Sequence, residues 1–449
     1  MTTRSDSAPS RRDEPGGDVP TSAGALPESS RDSLARVAWL GGAAFCFALP
    51  FFSLGRLVLT VHGIWWGDGL AALFAPFWLL RVVHHRRALA KEPLLWAITG
   101  WALVQGLSSA LHGEGWLDGL KSLQWLVVIW SFAALSRDGR TPQLLRALVS
   151  GGVLALVLGL VGYGLDASGI LPDLGFAFRS LHPLVPFPRL VGTFRESPEH
   201  MGEFLVVYLV VVLLSELRSR ARVALFMLGG VTLALTFSFS WVGAFVLAGA
   251  ASVHRLRRGL LVASGAVLFL ALSWVMNFSL PGPVIVESTP CAQIDLSHHV
   301  TTVSPGPHPQ CIEHGQRWPY AAPKTLYGEA KLFALTLIAQ HPLFGVGPEG
   351  FRERMQQRSE RPDGSRIGHY VSPHSTYLGA LVDAGLFGGL ALAAMLWALV
   401  ARRPDRRDAV GFLLFWAVVA ILVIGFNIDV LRQRHLWVLL GLVAARTRT

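Results

Sequence analysis

The sequence predicts an all-α polytopic membrane protein with about twelve transmembrane helices and a large, partly helical outer loop. Hydrophobic residues make up 52% of the 449 positions and charged residues only 15%, with a mean hydropathy of +0.46. A soluble chain of this length would need far more charge to cover its surface. Apolar runs of about 20 residues recur along the chain, and in a bilayer such runs form helices because lipid offers the backbone no hydrogen-bond partner.

Twelve apolar runs are long enough to be candidate spans. They cover residues 37–55, 63–82, 93–111, 119–135, 144–164, 199–216, 222–237, 239–254, 259–279, 375–400, 409–427 and 432–446.

The spans divide the chain into four regions. Residues 1–36, rich in Ser, Pro, Gly and Arg, are predicted to be a disordered cytoplasmic tail. Residues 37–279 hold the first nine helices, with an outer loop at 165–198, and the first helix is interpreted as a retained signal anchor. Residues 280–374 form an outer-loop subdomain, and residues 375–449 hold the last three helices.

The basic residues indicate how the chain is oriented. The net charge of +10 comes mostly from arginines grouped in alternate short loops, which is the positive-inside pattern. We therefore expect both chain ends in the cytoplasm, membrane lipids as a partner, and no nucleic-acid partner. The grouped residues are Arg81, Arg86, Arg87, Lys91, Arg137, Arg140, Arg146, Arg218, Arg220, Arg222, Arg255, Arg257, Arg258, Arg402, Arg403, Arg406, Arg407, Arg446 and Arg448.

The two long outer loops differ in character. Five prolines in 165–198 favour an extended or re-entrant loop. The loop at 280–374 contains a predicted helix at 325–340, expected to lie along the membrane surface, and a turn at 345–350. Cys291 and Cys311 of this loop are predicted to form a disulfide if it faces an oxidising space.

Arg195 is the first candidate for chemistry. It ends the first outer loop, and Ser197-Pro198 after it is typical of a helix start, where free backbone N–H groups and the helix dipole attract anions. Because a guanidinium donates paired charged hydrogen bonds, Arg195 is suited to hold a diphosphate. The alternative is an interfacial arginine that reaches lipid headgroups. Arg189 is a second basic candidate nearby.

His374 is the second candidate. It precedes the span at 375–400, and an imidazole that titrates near neutral pH is suited to accept a proton from a sugar hydroxyl. The alternative is a polar residue at the membrane–water boundary. Tyr377 and Asp383 follow on the same helix. A carboxylate inside an apolar run is costly, so Asp383 either orients a basic group or pairs structurally.

The sequence lacks the motifs of metal-dependent and nucleotide-dependent chemistry. The histidines of the outer loop do not have the spacing of a known metal-ligand set. No glycine-rich phosphate loop is present, and no paired aspartates lie near an outer loop, which disfavours a nucleotide-driven pump and a metal-dependent nucleotide-sugar transferase. We expect no metal and no cofactor.

Several stretches, in order along residues 150–445, resemble the O-antigen ligase and polymerase superfamily of bacterial polytopic glycosyltransferases. They are Gly192-Thr193-Phe194 through Pro198 to Gly202 and Phe204-Leu205; His341-Pro342-Leu343-Phe344-Gly345-Val346-Gly347-Pro348; Pro373-His374 with Tyr377-Leu378, Gly385-Leu386 and Gly388; and Arg434 through Trp437 with Gly441.

The resemblance implies a glycosyltransferase-C-like fold in the bacterial inner membrane, with the active site on the periplasmic side. It further implies an inverting, metal-independent transfer of a glycan from undecaprenyl diphosphate to an acceptor hydroxyl, as part of lipopolysaccharide biosynthesis. In this scheme Arg195 neutralises the diphosphate and His374 deprotonates or orients the acceptor.

The chain departs from the family pattern at several positions. Glu199 and Ser375 stand where the family often has Asn, and Ser240-Trp241-Val242-Gly243 lacks an arginine that the family often carries. Lys331 is the nearest base where an arginine often opens the helix before the His-Pro step. We therefore expect Lys331, Arg317 or Arg352 to help bind the diphosphate.

Three alternatives stay open. An O-antigen ligase would use the lipid A core as acceptor, whereas an O-antigen or exopolysaccharide polymerase would join lipid-linked repeat units, and no local mark separates them. A transporter of glycan or small solute also fits twelve spans, although such transporters usually show related halves. A structural scaffold would not explain the placement of Arg195 and His374. Partner proteins, glycan identity and oligomeric state have no mark in the sequence.

Overall fold

The computed structural model describes most of the membrane-embedded part of the chain. The described residues are 28–52, 66–113, 116–171, 175–178, 188–194, 197–236, 238, 240, 243, 278–279, 293–295, 300–302, 322–323, 326–359, 372–405, 407–431 and 433–446.

Helices dominate this part of the chain. They are α1 (Glu28–Ala48), α2 (Trp66–His84), α3 (Arg86–Leu89), α4 (Pro93–Leu111), α5 (Trp116–Arg137), α6 (Thr141–Ala167), α7 (Pro198–Leu214), α8 (Ser219–Thr236), α9 (Leu326–Gln340), α10 (Gly350–Ser359), α11 (Thr376–Ala401), α12 (Ala409–Ile424) and α13 (Arg434–Ala444). Short 3-10 turns cover Leu49–Phe51 and Gly192–Phe194.

Within the described residues, strands form three short antiparallel pairs. β1 (Ala177–Phe178) pairs with β2 (Arg189–Leu190), with Ala177 opposite Leu190. β3 (Phe278–Ser279) pairs with β6 (Ala322–Pro323), and β4 (Gln293–Asp295) pairs with β5 (Val300–Thr302). The predicted all-α class is therefore confirmed for the described residues, in which the strand pairs lie in the segments between helices.

The helices have the surface of a multi-pass membrane protein. Within the described residues, five are long and apolar enough to cross a membrane: Asp32–Phe51, Pro93–Leu111, Thr141–Ala167, Ser219–Thr236 and Thr376–Ala401. Large apolar side chains point outward along them, among them Leu103, Leu107, Val161, Val231 and Leu390. Surfaces of this kind are stable against lipid and unusual in water.

The first helix begins before the first predicted span. Helix α1 begins at Glu28, so residues 28–36 are helical, whereas the tail was predicted to extend to residue 36. The reason is that this polar stretch contains good helix formers, such as Leu34 and Ala35, which carry the helix beyond its apolar part. Residues 1–27, most of 239–279 and most of 280–325 lie outside the described residues, so the count of twelve spans stays a prediction.

Side-chain contacts define the two ends of the bundle. At one end, here called the arginine-rich end, ion pairs join helix termini: Arg81–Asp138, Arg137–Glu92, Arg146–Glu216 and Arg446–Asp408. At the other, here called the site end, the contacts are Thr193–Pro50, Arg434–Asp68 and Thr376–Gly425. The long helices thus alternate in direction, as successive membrane spans must.

Helix α7 lies at the centre of the core. Every residue from Met201 to Val212 is buried, and the helix packs against α6, α8 and α12. Two glycines make room for its tyrosine: a Cβ on Gly152 would lie 2.4 Å from the Tyr208 ring, and one on Gly229 would lie 3.0 Å from it. A helix that is apolar on all faces is stable only when surrounded in this way.

Helix α11 is broken about one third of the way from its first residue, which lies at the site end. Ala384 and Gly385 leave helical geometry, Gly385 with a φ of 60°. The predicted turn after α9 lies against this break. The Val346 amide donates to the Val382 carbonyl at 2.8 Å, the Gly347 amide to the Asp383 carbonyl at 3.0 Å, and the Leu386 amide to the Pro342 carbonyl at 2.8 Å. The break and the turn thus satisfy each other's backbone groups.

We predict that Gly385→Ala destabilises the protein. Gly385 has a positive φ, and a Cβ there would lie 2.4 Å from the Leu343 backbone. We expect a loss of about 2 kcal/mol or more from backbone strain and displacement of the turn. Thermal unfolding in detergent measures it.

The matched control is Gly379→Ala on the same helix, where a Cβ would meet nothing within 4 Å. That change should be neutral or stabilising by up to about 1 kcal/mol. Equal melting temperatures for both variants would contradict the role assigned to the break.

Candidate active site

His374 lies at the site end, immediately before α11. Its φ is 49°, the one positive φ of a non-glycine residue in the described part of the chain. The next residue, Ser375, is the N-cap of α11, and its hydroxyl accepts a hydrogen bond from the Leu378 amide at 3.5 Å. A left-handed conformation is strained for most residues, though histidine is among those enriched there, and such strain persists where the surrounding structure holds it.

The loop between α12 and α13 holds the start of α11. The Thr376 amide donates to the Gly425 carbonyl at 2.7 Å, and the Thr376 hydroxyl donates to the Ile428 carbonyl at 3.0 Å and accepts from the Val430 amide at 2.9 Å. The Tyr377 hydroxyl donates to the Leu422 carbonyl at 2.8 Å. These bonds fix the position of His374 through its neighbours.

Glu199 occupies the first turn of α7, where Ser197 is the N-cap and Pro198 the first helical residue, as predicted. The Arg189 guanidinium donates to the Glu199 carboxylate at 2.6 Å and to the Thr236 carbonyl at 2.9 Å. The Ser197 hydroxyl also donates to this carboxylate. Arg189 is buried, so it links the start of α7 to the end of α8.

The starts of α7 and α11 face each other. His374 lies within electrostatic reach of Glu199 and His200 of α7 and of Lys331 of α9. Burial lowers the pKa of His374 to about 4; Glu199 opposes this shift, and Lys331 and His200 add to it. The imidazole is therefore neutral at physiological pH, which is the form that can accept a proton.

Lys331 brings a cation to the same place. Its ammonium donates to the Asn427 side-chain carbonyl at 2.9 Å, and the residue is 5% exposed. Burial lowers the pKa of Lys331 to about 8, so the ammonium keeps its charge at neutral pH. A buried cation with few fixed partners is suited to receive an anionic group.

Three further polar groups continue the site into the bundle. Glu203, one turn along α7 from Glu199, is fully buried and within electrostatic reach of Glu199 and Asp429. Neither of its carboxylate oxygens has a hydrogen-bond partner among the described residues. His435 of α13 is buried, lies within reach of His200, and packs its ring 6.3 Å from Phe204.

The remaining predicted residues take other positions. The Tyr377 ring packs 4.3 Å from that of Phe426, which with its hydroxyl bond indicates a structural role. Asp383 lies nine residues beyond His374, at the helix break. Arg352 is on α10, half exposed, and pairs with Glu349 at 3.0 Å. Arg195, Arg317, Cys291 and Cys311 lie outside the described residues, so the roles given to them stay predictions.

Sequence reasoning missed much of the polar surrounding of His374. Glu199 was noted only as a departure from the family pattern, although it is a carboxylate four residues after Arg195, at the predicted helix start. Glu203 is a carboxylate inside the predicted span 199–216. The criterion that selected Asp383, a carboxylate inside an apolar run, would also have selected Glu203. Asn427 and Asp429 carry no signal of their own, because only the folded chain brings the α12–α13 loop to Lys331 and Glu203.

The geometry defines a multi-pass membrane protein with a cluster of buried polar side chains at one end of its helix bundle. Residues 332–393 match the family model described as O-Antigen ligase. The match covers most of α9, the turn, α10, His374 and two thirds of α11, and confirms the resemblance to the O-antigen ligase and polymerase superfamily. The family implies a glycosyltransferase-like enzyme of O-antigen processing. Among curated proteins, none matches the chain.

We predict that Arg189 and Glu199 are coupled. Arg189→Met leaves a partly buried carboxylate without its cation and should cost about 3 kcal/mol, whereas the double variant with Glu199→Gln should recover most of that loss. Denaturation in detergent of the unsubstituted protein, the two single variants and the double variant gives the coupling energy of the pair.

The exposed pair Arg146–Glu216 supplies the matched control, since both side chains are more than half exposed. Arg146→Met should cost less than about 1 kcal/mol. Additive losses in the Arg189 and Glu199 cycle would show that the pair does not hold the start of α7.

Proposed function

We propose that this protein is an inverting glycosyltransferase that moves a glycan from undecaprenyl diphosphate to an acceptor hydroxyl at the periplasmic face of the bacterial inner membrane. The observation that carries the proposal is a neutral histidine beside a buried lysine and a carboxylate, at one end of a helix bundle. A polyprenyl chain would stay in the bilayer while its diphosphate and sugar reach these side chains.

Each residue has a distinct task in the transfer. The acceptor oxygen attacks the anomeric carbon and its proton passes to His374. The bond from the anomeric carbon to the diphosphate oxygen breaks on the opposite face, so the configuration inverts and the lipid diphosphate leaves with the bonding electrons. Lys331 and Arg195 would neutralise the charge that develops on the diphosphate. No step requires a metal.

Glu199 supports the proton transfer electrostatically. Its negative charge favours the imidazolium that forms as His374 takes the proton. Arg189 and Ser197 hold the carboxylate in place. Arg189 is thereby a positioning residue in this proposal. The diphosphate contact is assigned instead to Lys331, whose ammonium donates to the Asn427 side chain.

Two versions of the proposal differ in the acceptor molecule. We favour an O-antigen ligase that uses the lipid A core, because the matched family is described as O-Antigen ligase. The lipopolysaccharide of a deletion strain tests it. A bare core with accumulating lipid-linked polymer supports the ligase, whereas a core carrying one repeat unit indicates a polymerase that joins lipid-linked units.

We predict that His374→Ala and Arg195→Ala each lower glycan transfer at least about 100-fold, the usual scale for removal of a general base or an electrostatic stabiliser. The assay uses purified protein, an undecaprenyl-diphosphate glycan and acceptor, with no ion gradient. Arg146→Ala, at the arginine-rich end, is the control and should retain activity.

Unimpaired transfer in both variants, at normal protein levels, would reject the catalytic scheme. Absence of any glycosidic bond formation by the unsubstituted protein under these conditions would favour the transporter alternative.

We also predict the pH dependence of kcat/KM. His374 must be neutral, which holds above its pKa of about 4, and Lys331 must be charged, which holds below its pKa of about 8. Activity should therefore be level between these values and fall on either side. Lys331→Arg should move the alkaline limb to higher pH, since a guanidinium stays protonated there.

Lys91→Arg, a matched exchange of an exposed lysine at the arginine-rich end, should leave both limbs unchanged. An alkaline limb that stays in place in Lys331→Arg would contradict the role of the Lys331 charge.

A further inference from the structure

The turn after α9 lies against a helix that crosses the bilayer. Beyond its break, α11 continues for 16 residues to Ala401, about 24 Å at 1.5 Å per residue, which is shorter than the hydrocarbon thickness of about 30 Å. Counting about 20 residues back from Arg402, which caps the helix at the arginine-rich end, reaches Val382. The segment that binds the turn therefore lies within the outer edge of the hydrocarbon.

Helix α4 gives a second measure of depth. The Ser108 hydroxyl donates to the Asp383 carbonyl at 2.5 Å, and Ser108 lies within the 19-residue span Pro93–Leu111. Leu111, three residues beyond Ser108, is still an exposed apolar side chain. His112, just past the span, lies within electrostatic reach of His341, which puts the start of the turn at the level where α4 ends.

The backbone of the turn meets the condition for non-helical structure inside a membrane. In hydrocarbon such a segment is tolerated only when protein satisfies its polar groups. Here the amides of Gly345, Val346 and Gly347 donate to carbonyls of His341, Val382 and Asp383, and the Leu386 amide donates to the Pro342 carbonyl.

The tip of the turn is apolar and exposed. Leu343 is 53% exposed and Phe344 is 52% exposed, and the Phe344 ring stacks on Phe387 of α11 at 5.3 Å. Residues 342–347 carry no charge. The exposed Leu386 and Leu390 extend this surface along α11, so the tip is continuous with a face that already contacts lipid.

We propose that the turn formed by residues 341–347 is a re-entrant element whose tip, Leu343 and Phe344, inserts among the acyl chains of the outer leaflet. Arg352 and Arg354 on α10 lie after the turn and stay at the headgroup level, the usual arrangement for an interfacial segment. Insertion anchors α9, and with it Lys331, to the membrane surface. This inference does not rest on the proposed function.

A nitroxide label tests the insertion directly. Phe344→Cys is labelled in a chain with Cys46→Ala, Cys291→Ser and Cys311→Ser, reconstituted in phosphatidylcholine vesicles. We expect high collision with oxygen, which partitions into lipid, and low collision with a water-soluble nickel chelate. Leu103→Cys, exposed in the middle of α4, should behave alike, and Arg352→Cys should show the reverse. High nickel collision at residue 344, or low collision with both reagents, would overturn the proposal.

Thiol labelling gives a second readout in a chain that keeps its native cysteines. A membrane-impermeant maleimide should modify Arg352→Cys rapidly in vesicles and Phe344→Cys only after dissolution in SDS, with the unsubstituted protein as background. Rapid labelling of Phe344→Cys in vesicles would equally overturn the insertion.

Discussion

The exchange of backbone hydrogen bonds between the break in α11 and the turn after α9 is the interaction on which the site depends. The break leaves carbonyls at Val382 and Asp383 without helical partners, and the turn supplies their donors. This contact holds α9 along α11, where Ala330, Ala334 and Leu337 pack against Val382. Because this contact positions α9, it also holds Lys331 beside His374.

The charged groups closest to His374 are held by hydrogen bonds. At the start of α7, Glu199 is bonded by Arg189 and Ser197, and on α9 Lys331 is bonded by Asn427. His374 stays neutral because burial lowers its pKa. The combination of a neutral base, a fixed carboxylate and an available ammonium suits a reaction that moves one proton and releases a diphosphate, since each group already has the charge that its step requires.

Much of the fold was predictable from the sequence, because helices α2, α4, α6, α11 and α12 follow from apolar runs that only lipid or core can satisfy. Helix α1 begins before the apolar run at its centre, since hydropathy detects a span and not the polar helix that extends it. His374 and the helix start at Ser197-Pro198 were also recognisable as local patterns. The partners of His374 were not, because Glu199, Lys331 and Asn427 come from three distant segments that meet only after folding.

The account rests on the claim that Lys331, Glu199 and His374 form one site that receives a lipid diphosphate. An electron cryo-microscopy structure with undecaprenyl diphosphate bound tests this claim most directly. We expect a diphosphate oxygen within hydrogen-bond distance, about 3 Å, of the Lys331 ammonium, with the lipid chain leading into the bilayer and the sugar side open toward His374. A diphosphate bound outside this site, with Lys331 still bonded to Asn427 alone, would contradict it.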